Sequence, residues 1–146
     1  MNISSCTKEG MNTLTEIQVN YPVTLEDARS LLVSALEGGS NYWMCLLKYE
    51  FPPNTTREDF IEGGKYAVKD WHPAYILPFI KDGAIVIEDK EEKTTHTLTR
   101  EKVISGLKMM AVKYPRHFMD FINENDDGVT ADIFLQNCLF GEVIYG

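Results

Sequence analysis

The sequence predicts an α+β fold: a single compact domain, residues 1–146, in which an antiparallel sheet with a central hairpin packs against about four helices. Strand-like segments lie in the middle of the chain, capped segments of helical periodicity lie on both sides, and glycine or proline separates most of them. With 146 residues, of which 44% are hydrophobic and 25% charged, the chain has a globular composition and enough length for one ordinary core.

The N-terminal part of the chain is predicted to lead into an amphipathic helix. Residues 1–12 are polar and predicted to be flexible, and residues 13–23 form a short strand or an extended arm. Thr24, with Asp27 three residues later, resembles a capping box, and apolar residues then recur at helical spacing. The glycines at 38–39 are expected to end this helix by adopting the left-handed conformation.

A dense apolar segment follows the double glycine. Residues 42–51 are aromatic or aliphatic on both parities, which predicts a strand covered on both faces. Residues 52–54 end the strand. Thr56 is predicted to cap a second helix that stops at the glycines 63–64, and residues 71–78 form a loop or edge segment because they hold two prolines.

The middle of the chain predicts a hairpin and a third helix. Residues 84–88 have strong strand character, and residues 93–98 alternate as their antiparallel partner across a polar turn. Thr99 can cap the third helix, whose apolar face is clear. Pro115 either interrupts that helix or starts a new one, since proline is tolerated in a first turn.

The C-terminal part predicts one more helix and a terminal strand. Thr130 is expected to cap the helix, Gly141 to end it, and residues 142–146 to form the strand. The preceding loop, residues 123–128, resembles the first half of a calcium loop. The twelfth position of that loop would be Phe134, where calcium requires a bidentate Glu, so ordinary turn chemistry is the preferred interpretation.

Composition restricts the classes of partner and compartment. The net charge of −8 and the pI near 4.8 disfavour nonspecific binding to nucleic acid, whose phosphates the chain would repel. No apolar run is long enough to cross a bilayer, and the N-terminus lacks the apolar core of a signal peptide. Cys6, Cys45 and Cys138 are odd in number and widely spaced, which indicates a reduced, cytoplasmic protein.

The sequence contains no motif that names a reaction. His72, His96 and His117 have no metal-ligand spacing, so no metal site is predicted, and no phosphate-binding glycine loop or other cofactor motif is present. A nucleophile–base pair of Cys45 with a histidine stays open, although no feature selects one. We therefore predict no catalytic residue and no cofactor.

Candidate ligand-binding residues follow the first double glycine. Asn41, Tyr42 and Trp43 could line a ligand pocket or a subunit interface, because aromatic rings with one polar edge suit either use. A core strand beside its helix is the alternative that burial statistics favour.

Basic residues supply the other half of a predicted anion site. Lys65 and Lys69 frame the stretch after the second double glycine, and others lie on or beside the third helix. Charge for a phosphate and ring faces for a base would suit a nucleotide, whereas solvated surface lysines are the plainer explanation. The candidates for phosphate contact are Arg57, Lys65, Arg100 and Arg116.

Two segments resemble signatures of a protein family. Residues 35–43 (ALEGGSNYW) and 131–146 (ADIFLQNCLFGEVIYG) are similar to motifs of small uncharacterised proteins encoded by bacteriophages and prophages of Gram-positive hosts. Residues 62–64 (EGG) and 98–107 (LTREKVISGL) also look like family positions, so the resemblance would cover about residues 24–146. It implies a phage accessory protein that acts in the host cytoplasm, and phage proteins of this kind often counter host immunity.

These observations lead to two functional hypotheses from different classes. The first is a non-enzymatic, homo-oligomeric counter-defence protein that sequesters a nucleotide-type signalling molecule, with Tyr42 and Trp43 as the stacking surface. The second is an acidic inhibitor that docks on a host defence protein. A concave site that joins the basic candidates to Tyr42 or Trp43 would favour the first, and a flat acidic face the second.

Overall fold

Four α-helices and three strands make up the part of the chain that the structure, a computed structural model, describes: residues 12–69 and 71–146. In chain order they are α1 (Leu25–Ser34), β1 (Met44–Glu50), β2 (Ala84–Asp89), β3 (Thr94–Leu98), α2 (Arg100–Lys113), α3 (Pro115–Ile122) and α4 (Gly128–Phe140). The predicted α+β fold with its central hairpin is thereby confirmed. The prediction of flexibility at residues 1–12 lies, for residues 1–11, outside the described residues.

The sheet is antiparallel, with β2 between β1 and β3. Five of the six β2 residues are buried, so β2 is the strand that both neighbours cover. A bulge between Leu46 and Lys48 interrupts the alternation of β1, and Leu47, Lys48 and Glu50 are exposed. The prediction that this strand is covered on both faces is wrong, because it lies at an edge of the sheet and the bulge turns its second half outward.

Helix α4 is the centre of the helical layer. Eight of its thirteen residues are buried, and it packs against α1, α2 and α3. Gly106 of α2 permits the closest of these contacts, since a Cβ at that position would lie 2.2 Å from the Cys138 sulfur. The side chains of Leu31, Phe134 and Leu135 fill the space between the helices and are fully buried.

Local side-chain hydrogen bonds set most helix boundaries. The Thr24 and Thr99 hydroxyls accept the N–H groups three residues later, as predicted. Pro115 begins α3, and Gly141 ends α4 with a φ of 75°. The predicted cap of the last helix is wrong: Asp127 caps α4, because its carboxylate reaches two N–H groups of the first turn.

Two short segments differ in length from the prediction. After Thr56 the chain forms a single 3₁₀ turn, Arg57–Phe60, closed by a capping box with Asp59. Residues 71–78 are more than a loop: two 3₁₀ turns, Pro73–Tyr75 and Leu77–Phe79, place buried residues in the core.

Both ends of the described chain are extended and unpaired with the sheet. Residues 13–24 form the arm, not a strand. The predicted C-terminal strand is also absent from residues 142–146, because the Gln136 side-chain oxygen accepts the N–H groups of Ile144 and Tyr145 in place of a neighbouring strand. Among the described residues, no helix has the length and apolar character needed to span a membrane.

Candidate functional site

A buried carboxylate, Asp132 of α4, connects residues 40–43 with the C-terminal helix. Its Oδ1 accepts hydrogen bonds from Ser40 Oγ and Trp43 Nε1, both at 2.7 Å. Its Oδ2 accepts the Tyr42 hydroxyl and, at 3.0 Å, the Gln136 amide. Both oxygens are therefore fully engaged within the protein, and the side chain is only 7% exposed.

Trp43 belongs to the core. Its indole is fully buried, stacked on Tyr145 at a ring distance of 5.5 Å and in contact with Phe140 at 5.3 Å. The predicted role of Trp43 as a stacking surface is wrong for this geometry, because no ring face is open to a ligand. Trp43 instead fits the alternative interpretation, in which it is a residue of the hydrophobic core.

Tyr42 borders a cleft of about 900 Å³ whose charged lining residues are acidic: Glu37, Asp127 and Asp132. The Tyr42 side chain is about half exposed. Burial, together with its hydrogen bond to Asp132, raises the pKa of Tyr42 to about 12. None of the described lining residues is Lys or Arg, so the predicted basic cluster around Tyr42 does not occur and the cleft would repel a phosphate.

The positive charge lies in another groove, of about 740 Å³, on the segment between β1 and β2. Its described charged residues are Arg57 and Lys69 against Glu62, and Trp71 and His72 form its aromatic wall. We call this site the basic groove. Among its described lining residues, two cations face one anion, whereas the whole chain has a net charge of −8.

The second double glycine shapes the basic groove. Gly63 has a φ of +87°, which glycine adopts without strain. A Cβ on Gly64 would lie 2.2 Å from the Glu58 carbonyl oxygen, so only glycine permits this approach of the two chain segments. The Tyr66 N–H then donates to Asp59 O at 2.7 Å and closes the loop against the 3₁₀ turn that carries Arg57.

His72 is held at both ring nitrogens. Nδ1 accepts the Ala74 N–H at 3.1 Å, and Nε2 lies 3.2 Å from the Tyr49 hydroxyl. Burial, and secondarily the charge of Arg57, lowers the pKa of His72. The ring is therefore neutral at pH 7, and since Nδ1 is an acceptor, Nε2 carries the proton.

The Trp71 indole is fixed by a cation–π contact. The Arg29 guanidinium carbon lies 4.2 Å from the centre of the Trp71 ring and 5.5 Å from that of Phe79. Burial lowers the pKa of Arg29. Trp71 is half-buried, so its indole is both anchored from one side and present in the groove wall.

A second, smaller hollow of about 480 Å³ adjoins the basic groove, and His72 lines both. It contains Asn41, whose carbonyl oxygen accepts the Lys90 ammonium at 2.9 Å. It also contains Cys45. Burial, and then a hydrogen bond to Glu88, raises the pKa of the Cys45 thiol, which keeps it protonated and a poor nucleophile.

The predicted site residues are thus dispersed. Of the four basic candidates, Arg57 lines the basic groove, whereas Lys65 lies against the Tyr66 ring, 5.2 Å from its centre. Arg100 and Arg116 are exposed on α2 and α3, outside the groove. Trp71 and His72 were not among the candidates predicted from the sequence, and the aromatic pair two residues after Lys69 was the available signal.

No protein family, curated protein or solved structure matches this chain. Within residues 12–69 and 71–146, no group of three or more His, Cys, Asp and Glu side chains could hold a metal ion.

Proposed function

We propose that the protein captures a small aromatic anion of the nucleotide type in the basic groove and binds it without chemical change. The observation that carries this proposal is a grouping of side chains: Arg57 and Lys69 share one concavity with Trp71 and His72 in a chain of net charge −8. A groove of this kind offers cations for a phosphate and rings for a base.

The dimensions and chemistry of the groove suit a single nucleotide. Its volume, about 740 Å³, falls within the range of roughly 300–1,000 Å³ that is usual for small-molecule sites. The exposed Arg57 guanidinium can hold a phosphate with two parallel hydrogen bonds, and Lys69 adds a second point charge. Trp71 supplies the large ring on which a base stacks.

Hydrogen bonding around His72 supports binding without catalysis. The Ala74 N–H occupies one ring nitrogen and the Tyr49 hydroxyl the other, so the imidazole has no free position from which to take or give a proton. The thiol of Cys45, in the adjoining hollow, is protonated for the reason given above.

The resemblance to phage proteins gives the proposed capture a biological setting. A phage protein that binds a nucleotide signal tightly in the host cytoplasm would lower its free concentration and so interrupt the defence that the signal activates. This counter-defence role rests on the resemblance and on the basic groove together.

The first test is to purify the protein from host cells, denature it, and identify released nucleotides by mass spectrometry. We expect a stoichiometric phosphate-bearing compound. Calorimetry with that compound should show that Arg57→Gln weakens binding about tenfold or more, because a hydrogen bond to a charged group contributes about 1.5–3 kcal/mol. Trp71→Leu should weaken it through loss of stacking.

Arg116→Gln is the matched control, since Arg116 is also an exposed arginine but lies on α3 outside the groove. It should bind as tightly as the wild type. The proposal fails if the purified protein is empty and a panel of linear and cyclic nucleotides neither binds in calorimetry nor raises the melting temperature.

A second candidate function is supported by the acidic cleft at Tyr42. Glu37 and Asp127 line a concavity of about 900 Å³ in which a Lys or Arg side chain of a host protein could dock. An acidic inhibitor of this type would lose its partner in pull-downs with Glu37→Lys and keep it with Arg57→Gln. The opposite pattern would assign the interaction to the basic groove.

A further inference from the structure

The N-terminal arm carries apolar side chains that residues 12–69 and 71–146 leave exposed. Leu14 is 98% exposed, Ile17 81% and Val19 82%. Three aliphatic side chains at this exposure lie within six residues, and exposed apolar patches mark contact surfaces.

The C-terminal end of the arm is anchored to its own protomer. The Tyr21 ring meets Phe118 edge to face at 6.1 Å, and Val23 packs on the core. Residues 19–23 border a hollow of about 460 Å³ between the arm and the helices α2 and α3. The arm is therefore held at one end, while its apolar residues 14–19 are left uncovered.

The outer surface of α2 presents the matching feature. Ile104, Lys108 and Val112 are spaced four residues apart and so form one line along the helix. All three are exposed, Val112 by 78%. We call this line the α2 stripe: two aliphatic side chains with a cation between them, beside the hollow at the arm.

We propose that two copies of this chain exchange arms, so that residues 14–19 of each protomer lie along the α2 stripe of the other. In this arrangement Leu14 and Ile17 cover the aliphatic residues of the stripe. The contact occurs twice, related by a two-fold axis, because each copy both gives and receives an arm.

Charge complementarity identifies the occupant as a second copy. Glu16 is the single charged residue of the exposed arm segment, and Lys108 is the single charged residue of the α2 stripe. Neither belongs to an ion pair within residues 12–69 and 71–146. An apolar strip with one anion and an apolar strip with one cation, both on the same chain, are complementary to each other.

The surface area that a stable interface must bury also favours reciprocal exchange. A stable interface buries about 800 Å² on each partner, more than three aliphatic side chains provide. With both arms engaged, each protomer buries its own arm, its own stripe and the edges of the hollow. Exchange of only one arm would bury about half of that surface area.

The first experiment is sedimentation velocity over a concentration series with the full-length chain. We expect the wild type to dimerise and Leu14→Asp/Ile17→Asp to sediment as a monomer over the whole series. Both side chains are almost fully exposed, so the variant should keep the wild-type circular dichroism spectrum. Leu47→Asp, which changes an exposed leucine on β1, should dimerise normally.

A charge-reversal experiment tests the register. Glu16→Lys alone and Lys108→Glu alone should each weaken dimerisation about tenfold, because two symmetric pairs turn from attraction to repulsion. An equimolar mixture of the two variants should recover the dimer, since every arm then faces a residue of opposite charge in the partner. A contact within one chain would not respond to mixing.

A wild-type chain that stays monomeric at every concentration overturns arm exchange and leaves the arm for another partner. A dimer that persists in Leu14→Asp/Ile17→Asp also overturns it. If the mixed variants remain as weak as each variant alone, the arm does not lie on the α2 stripe and the proposal is wrong.

Discussion

At Gly39 and Gly64, a nearby backbone carbonyl oxygen leaves no room for a side chain. Neither Gly38 nor Gly39 has a positive φ, so the expectation that they end α1 in a left-handed conformation is wrong. The requirement comes from packing at Gly39, where a Cβ would lie 2.4 Å from the Gly128 carbonyl oxygen. Gly64 shows the same constraint in the basic groove.

This difference predicts opposite effects of two adjacent substitutions. Gly39→Ala should lower the free energy of unfolding by about 1–3 kcal/mol, because the backbone of α4 must move to admit a methyl group. A Cβ on Gly38 would have no neighbouring atom of the described residues within 4 Å. Gly38→Ala should therefore raise the free energy of unfolding by up to about 1 kcal/mol, because alanine makes the unfolded chain less flexible. Urea denaturation of the two variants measures both values.

Gly38→Ala is thus the control for Gly39→Ala, since both add one methyl group to the same turn. Equal destabilisation by the two would contradict the packing explanation and point to a backbone preference for glycine at both positions.

The two tryptophans show that the burial of a single residue could not be predicted from the sequence around it. Both lie beside polar residues in aromatic segments, and composition does not distinguish them. Trp43 is buried because Asp132, far away in the sequence, accepts its indole N–H. Trp71 lines the groove and is held there by Arg29, which is also distant in the sequence. Contacts over some ninety residues are not visible in local pattern, so the burial of Trp43 could not be predicted from its neighbours in the sequence.

At the scale of elements, short-range chemistry makes helix starts predictable. Thr24 and Thr99 act on N–H groups three residues away, so the sequence contains the whole interaction. The start of α4 was misplaced because two good caps, Asp127 and Thr130, stand in one turn. The Thr130 hydroxyl instead lies 3.0 Å from the ring of His117.

The Asp127 cap predicts a pH dependence of stability. Hydrogen bonds from the Thr130 and Val129 N–H groups lower the pKa of Asp127 in the folded state. A lowered folded-state pKa stabilises the protein above the unfolded-state value, about 3.9, and that stabilisation is lost as the pH falls through the folded-state value. Asp127→Asn should retain the cap and show a shallower loss of stability below about pH 4.

Urea denaturation from pH 6 down to the acid transition measures this slope. Asp120→Asn, which also removes one carboxylate, is the matched control for the loss of one negative charge. If Asp127→Asn follows the wild type at every pH, the carboxylate does not interact more strongly with α4 in its ionised form.

At the scale of the whole molecule, the sheet was predictable and the groove was not. The hairpin is contiguous in sequence, with a polar turn between an apolar segment and an alternating one, so its pairing follows from local pattern. The basic groove combines a 3₁₀ turn, a glycine loop and the residues after position 70, and a long irregular segment has no periodicity that fixes its path. The charge of Arg57 made it a candidate for phosphate contact, whereas Trp71 and His72 were not among the predicted candidates.

The last prediction, which rests on the proposed nucleotide site, compares the two groove cations with the net negative charge of the chain. At low ionic strength the net charge of −8 repels an approaching nucleotide over about 30 Å, whereas at physiological salt the screening length is about 8 Å. The cations Arg57 and Lys69 act at contact and are screened less. The association rate constant should therefore rise several-fold as salt increases to physiological strength, opposite to ordinary electrostatic steering.

Stopped-flow fluorescence can follow this rate, because Trp71 lies in the groove wall and Trp43 is buried away from it. Glu91→Gln/Glu92→Gln removes two negative charges from the exposed turn between β2 and β3, outside the groove. This variant should associate faster than the wild type at low salt and show a weaker dependence on salt, with an unchanged dissociation rate. A rate that falls with salt in both proteins would mean that the groove cations alone govern the encounter, and that the acidic surface does not oppose the capture of anions.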